Sequence, residues 1–168
     1  MFTNRVRQMM TATLQGIPLM AQIEDFDPPP IEFDTEEMRG GRFISEEMAV
    51  GMKALIAKIT LQGVGLPIFT ALGVSGGDQV LLTVQEAGED QDGNEWFAYH
   101  VCAGKLKKQE DKQLKMGDKP VTTLEISLRS YQRLEMGVPV IDIDTRTQVC
   151  VINGVDYLKG ARRLALMV

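Results

Sequence analysis

Few side chains in this sequence could do covalent or metal chemistry, and their spacing works against it. There is one histidine, His100, within a segment expected to be a strand. A single imidazole cannot furnish the multi-histidine sets that zinc sites use, so a strand residue with a satisfied ring is expected. Cys102 and Cys150 lack the short spacing of a metal-binding pair. They could form one disulfide, but Met1 to Met10 carries Arg5 and Arg7 without an apolar core, so no secretory signal is read and reduced, buried thiols are expected. Asp142-Ile143-Asp144 puts two carboxylates on one strand face, a pattern open to a divalent cation but more often an acidic edge. Gly73-Val74-Ser75-Gly76-Gly77 is glycine-rich yet lacks the Lys-Ser/Thr that phosphate chemistry needs, and reads as a turn. With no nucleophile-elbow or dinucleotide motif either, the expectation is no enzyme, no cofactor and no metal.

Two polar segments suit recognition better than reaction. In Glu36-Glu37-Met38-Arg39-Gly40-Gly41-Arg42, two glycines permit unusual backbone geometry and two arginines offer forked contacts to carboxylates. Its composition alone suggests a flexible loop. In Val151 to Arg163, Asn153-Gly154 is a turn dipeptide that tolerates positive φ. Asp156 follows where it could cap a short helix, and Arg162 and Arg163 sit where a helix C-terminus favours cations.

These segments need a framework, and 168 residues suffice for one domain with a real core. Apolar residues make up 44% and charged residues 24%, as in ordinary soluble domains, and no apolar run could span a bilayer. A net charge of −5 argues against gripping nucleic acid, because phosphate binding needs a cationic surface.

Thr11 to Glu24 reads as a hairpin around Gln15-Gly16, and Pro28-Pro29-Pro30 then interrupts regular structure. Ile31 to Asp34 suits a short strand. Every charge from Glu24 to Glu37 is acidic, usually the mark of a solvated face. Ser45 to Leu61 is ambiguous. Ser45-Glu46-Glu47 resembles a helix start, and Met48, Met52, Leu55, Ile56 and Ile59 recur at helical spacing. Leu55, Ala57, Ile59 and Leu61 also alternate as in a strand. On periodicity alone the helix is favoured.

Leu66 to Gly73 predicts a short helix with Pro67 in its first turn. Gln79 to Gln85 alternates, Asp92-Gly93 signals a hairpin, and aromatic-rich Trp96 to Leu106 suits the return strand. Lys105 to Lys119 reads as a solvated, lysine-rich connection, since Glu110, Asp111 and Asp118 interrupt its charge and no aromatics interleave. Val121 to Tyr131 is the clearest strand, and Val138 to Ile143 pairs back after Glu135-Met136-Gly137, with Pro139 suggesting an edge. The sum is a mainly β fold: an antiparallel β-sandwich or incomplete barrel with one short central helix and a short C-terminal helix.

The C-terminal segment resembles the end of the major tail tube protein of contractile-tailed bacteriophages, and R-type pyocins end similarly. In that family an acidic strand ending in Ile-Asp, here Ile141-Asp142-Ile143-Asp144, precedes a short spacer, an Asn-Gly-Val-Asp turn, a Leu and one or two Arg. A Glu-x-(aromatic or apolar)-Arg-Gly/Ala-Gly segment, similar to that ending in Arg39-Gly40-Gly41, lies there in a long loop that stacks one ring on the next. The family also places a strand over Met52 to Leu61. Pro28-Pro29-Pro30 departs from its pattern.

The resemblance implies a single tail tube domain over 1–168, with a stacking loop around 34–50 and a C-terminal segment at 151–168. Contact between subunits is then expected at Glu37, Arg39, Gly40, Gly41, Arg42, Asn153, Gly154, Asp156, Arg162 and Arg163. It implies hexameric rings stacked into a hollow tube inside a contractile sheath, driven through the host envelope and conducting DNA without binding it. Sheath, baseplate, tail terminator and tape measure proteins are the implied partners, the virion tail the location, the host cytoplasm the place of assembly, and no stable membrane association is implied. Two alternatives are the tube of a type VI secretion or related injection machine, and a monomeric ligand-binding β-barrel.

Overall fold

The computed structural model describes residues 3–20, 22–63 and 79–165. The chain forms β1 (Arg5–Leu14), β2 (Ile17–Pro18), β3 (Ile23–Asp27), β4 (Phe33–Met38), β5 (Glu46–Met52), β6 (Ile56–Gln62), β7 (Val80–Asp90) and β8 (Glu95–Asp111). β9 (Val121–Glu135), β10 (Val138–Asp144), β11 (Val149–Ile152), β12 (Val155–Asp156) and a terminal helix α1 (Lys159–Leu164) complete it. The short helix expected over Leu66 to Gly73 and the glycine-rich turn after it lie outside the described residues.

All described strand pairs are antiparallel. One sheet runs β12-β11-β10-β9-β8-β7-β1-β2, while β6 bonds β9 and β3 bonds β6. The branch point is β9. Its N-terminal half, Val121 to Ser127, pairs with β6, and its C-terminal half, from Ser130 to Glu135, pairs with β10. Strands β1-β7-β8-β9-β6-β3 therefore curl around one core without closing: β1 and β3 carry no ladder between them among the described residues. Leu19 links the two sides of that gap, donating to the Ala12 carbonyl and accepting the Ile23 amide. The interior is filled by alternate residues of each strand, including Leu14, Ile59, Leu82, Val84, Leu124 and Ile126, each nearly free of solvent.

Several sequence expectations need correction. Ser45 to Leu61 holds two strands, in line with the strand that the resemblance implies over Met52 to Leu61 and not with the helix that periodicity favours. The helical spacing arose because the exposed apolar residues of β5 and the core residues of β6 fall by chance into a 3.6-residue rhythm, and the ladder to β9 decides for strand. Leu55, Ala57, Ile59 and Leu61 do share one buried face. The expected strand at Ile31 to Asp34 starts later, at Phe33, and runs to Met38. The N-terminal hairpin begins at Arg5, with its turn at Gln15-Gly16 as expected.

The lysine-rich connection shrinks to 112–120, because β8 continues to Asp111 against the N-terminal half of β9. Pro139 is not on an edge strand, since β10 lies between β9 and β11. It is tolerated because the β11 ladder reaches only to Ile141, leaving the β10 backbone at Pro139 without a β11 partner.

Candidate assembly surface

Strands β4 and β5 form a two-stranded ribbon that is bonded to no other strand. Every residue from Glu32 to Gly51 is exposed apart from half-buried Ser45. Alternation cannot bury either face of an isolated ribbon, so Phe33, Met38, Met48 and Val50 stand in solvent. Glu37 belongs to β4 opposite Glu47, and accepts the Ser45 hydroxyl; Ser45 is thus a ribbon residue and not a helix cap. Arg39, Gly40, Gly41 and Arg42 form the tip, where both glycines take positive φ. Arg42 pairs with Glu46 at 3.1 Å. Phe43 follows at 97% exposure and Ile44 at 77%. The segment expected to be a flexible loop is a ladder with a seven-residue tip, 39–45.

The C-terminal segment folds as read, with one change. Asn153 and Gly154 adopt φ of 51° and 81° and turn β11 into β12. Asp156 does not cap α1: the residue at the cap is Leu158, which makes no side-chain cap bond. The Asp156 carboxylate accepts the Leu158 amide and grips the Arg162 guanidinium through both nitrogens. That ionic clasp is the first cause holding Asp156 below the usual carboxylate range, with the Leu158 amide adding to it. Arg162 also donates to the Gln148 carbonyl, which ties the helix back to the turn before β11. Arg163 lies in the same last turn, as expected.

The two regions meet at one place. A cleft of about 570 Å³ opens between the ribbon root, at Phe33 and Val50 to Leu55, and the strand ends at Ile143, Asp144 and Cys150, with Tyr157 and Leu158 completing it. Its lining is mainly apolar. Glu37 and the 39–42 tip lie at the far end of the ribbon from this cleft, whereas Asp156 adjoins it through Tyr157. No local pattern marks the cleft, because its walls come from segments separated along the chain.

The candidate chemical residues are structural in their surroundings. His100 is buried, with Nδ1 2.8 Å from the Tyr131 hydroxyl and Nε2 3.6 Å from Glu86. With the ring proton on Nε2, Nδ1 accepts the Tyr131 O–H. Arg7 holds the other Glu86 oxygen, and Phe26 packs on the imidazole with ring centres 5.5 Å apart. Burial pushes His100 below its usual range, the Arg133 guanidinium adds to this, and Glu86 opposes it. Cys102 and Cys150 are free thiols, and burial raises Cys102 to about 12. In Asp142-Ile143-Asp144 the middle residue is core, while Asp144 caps a turn by accepting the Arg146 and Thr147 amides. Among the described residues no group of three or more His, Cys, Asp or Glu side chains could hold a metal, and no helix is long and apolar enough to cross a membrane.

An exposed ribbon, a clasped C-terminus and an unclosed sheet describe a part made to be joined. The family described as phage tail tube protein FII matches residues 5–165. The chain belongs to that family. It is a structural subunit of a phage tail tube. No curated protein matches its sequence. Solved structures share the fold of this tail tube subunit. One is a chain of the anti-feeding prophage baseplate, six-fold symmetrised, at TM-score 0.55 and 13% identity over 80% of this chain and 97% of that one. Another is from the PVC sheath/tube terminator, in the extended state, of an extracellular contractile injection system, at TM-score 0.57 and 11% identity over 75% of this chain and 93% of that one.

Proposed function

We propose that this tail tube subunit assembles, as one domain over 1–168, into hexameric rings that stack into a hollow tube within a contractile sheath. The observation that carries this reading is the pairing of an unclosed sheet with an unsupported ribbon. Strand β1 is laddered to β2 only at Thr13 and Leu14, and Leu19 takes the Ala12 carbonyl, so among the described residues its outer edge from Arg5 to Thr11 carries no ladder. Open edges template pairing with another chain, and a ring of subunits would satisfy them. The ribbon, with Glu37, Arg39, Gly40, Gly41 and Arg42, then reaches the next ring. The segment with Asn153, Gly154, Asp156, Arg162 and Arg163 supports neighbouring contacts. The six-fold symmetry of the related baseplate assembly favours six subunits per ring.

In this reading the tube forms in the host cytoplasm, ends at a baseplate and a terminator, surrounds a tape measure protein, and is driven through the host envelope to conduct DNA. Acidic side chains facing the lumen would repel phosphate and let DNA slide. One structural neighbour is named as part of an extracellular contractile injection system, which favours one second reading, the tube of an injection machine. Genes for a terminase and a capsid beside this one would decide for the phage. The test of the tube itself is negative-stain electron microscopy of the concentrated protein: rings or hollow tubes of uniform width are expected, and small particles alone at every concentration would contradict it.

A further inference from the structure

The β4–β5 ribbon and the 112–120 loop carry opposite charge. In the β6–β9 ladder Ile56 lies opposite Ser127 and Gln62 opposite Val121. The ribbon enters β6 at Ile56, and the 112–120 loop enters β9 at Val121, so the two project from opposite ends of the same strand pair. The ribbon end holds Glu32, Asp34, Glu36, Glu37, Glu46 and Glu47 against Arg39, Arg42 and Lys53, with Lys53 paired to Glu32 and Arg42 to Glu46. The 112–120 loop holds Lys112, Lys115 and Lys119 against Asp118, with Asp111 next to it at the end of β8. All residues from Lys112 to Pro120 are exposed, and among the described residues none of these three lysines has an ion-pair partner.

Shape follows the charge. The loop ends in two apolar side chains with no cover, Leu114 at 85% and Met116 at 99% exposure. The ribbon end carries the apolar cleft beneath its acidic strands, lined by Val50, Met52, Leu55 and Tyr157, with Asp144 and the Glu32-paired Lys53 at its side. Resting on the tube reading, we infer that the 112–119 loop of one copy seats Leu114 and Met116 in the ribbon-root cleft of a second copy, while its lysines face the acidic ribbon. Donor and acceptor surfaces lie at opposite ends of one molecule, so the contact is head-to-tail and propagates as a stack. Like ends repel, so the same charges reject an inverted copy and fix the polarity of the tube.

The experiment uses full-length chains. Lys112→Glu, Lys115→Glu and Lys119→Glu together reverse the loop; Glu36→Lys, Glu37→Lys and Glu47→Lys together reverse the ribbon. All six positions are exposed, so thermal melting checks that each subunit stays folded. Neither variant alone is expected to stack, though rings persist. An equimolar mixture of the two, and the chain bearing all six substitutions, should stack again. For the unmodified chain, raising NaCl from 0.15 M to 1 M should raise the concentration needed for stacking about tenfold, as screening removes several exposed pairs. Tubes from either variant alone with parental efficiency, a folded six-fold variant that makes rings without tubes, or salt-independent stacking would each overturn the contact. A melted variant is replaced by the salt series and by footprinting of unmodified tubes, where Met116 and Tyr157 must both lose reactivity; continued reactivity of either overturns the seating. If the unmodified chain makes neither rings nor tubes, the tube reading fails first and the contact with it.

Discussion

The β6–β9 pair and the β4–β5 ribbon use the same backbone ladder and meet opposite fates. In β6, Ala57, Ile59 and Leu61 point inward and are fully buried, and Leu124 and Ile126 of β9 meet them. In the ribbon, Met48 and Val50 each leave 56% of their surface in solvent. A two-stranded ribbon alone is marginal in water, and the proposed tube would cover the apolar surface that this one exposes. In the proposed tube, the barrel residues specify the subunit and the ribbon residues its neighbours.

The largest expected effect lies in the barrel. Ile59→Ala should cost about 2–5 kcal/mol of folding stability in denaturant melts, because the site is enclosed and a cavity would remain. A loss under 1 kcal/mol would mean that the barrel is as loosely held as the ribbon. Gly104→Ala sharpens the same point. At the bulge between β8 and β9 an added Cβ would sit 2.1 Å from the Ser127 carbonyl oxygen, so backbone must move, at a cost of about 1–3 kcal/mol or more.

A smaller effect should appear with pH. The folded chain holds His100 below the ordinary value, mainly through burial, while the unfolded chain protonates it near pH 6.5. The unfolded state thus binds the extra proton first. The stability that depends on neutral His100 is complete above about pH 6.5, declines as pH falls below it, and stops declining beneath the folded pKa. Melting temperature should therefore drop between pH 7 and pH 5, and His100→Gln, whose amide can still accept the Tyr131 O–H, should flatten that slope. An unchanged slope would remove His100 as its source.

Arg162→Ala should act locally. It frees the Asp156 carboxylate and the Gln148 carbonyl, so faster amide exchange is expected in β12 and α1, with the β6–β9 ladder unaffected. Exchange quickening throughout the barrel would show that the C-terminal clasp belongs to the core. The smallest effect on folding should come from the ribbon tip: Arg39→Glu or Phe43→Ser should change stability by less than about 0.5 kcal/mol while blocking stacking.

Legibility followed the same division. Strands with one buried face announced themselves by alternation: Val80, Leu82 and Val84 in β7, and Leu124, Ile126 and Leu128 in β9. Carrying the β7 alternation one step further would have placed Glu86 inside, and the same rule in β8 puts His100 inward. The polar interior around Glu86, His100 and Tyr131 was thus within reach of strand parity. The ribbon defeated periodicity because nothing in the subunit selects one of its faces, so apolar residues fell at helical spacing without meaning. The lysines of β8 read as loop because the partner strand that orders them lies beyond the turn. The motifs at 36–42 and 151–163 identified the family, but their geometry required the ladder that makes Glu37 a strand residue and the clasp that turns Asp156 toward Arg162. No local pattern could reveal the cleft, since its walls join only in three dimensions.

The most direct measurement replaces residues 38–46 by a two-residue Asn-Gly turn, keeps the rest of the chain, and compares it with the parent by thermal melting and negative-stain microscopy side by side. The parent should form tubes, while the shortened chain should melt at the same temperature and stop at rings or smaller particles. Tubes of normal length from the shortened chain, or a collapse of its melting temperature, would contradict the assignment of the ribbon to assembly.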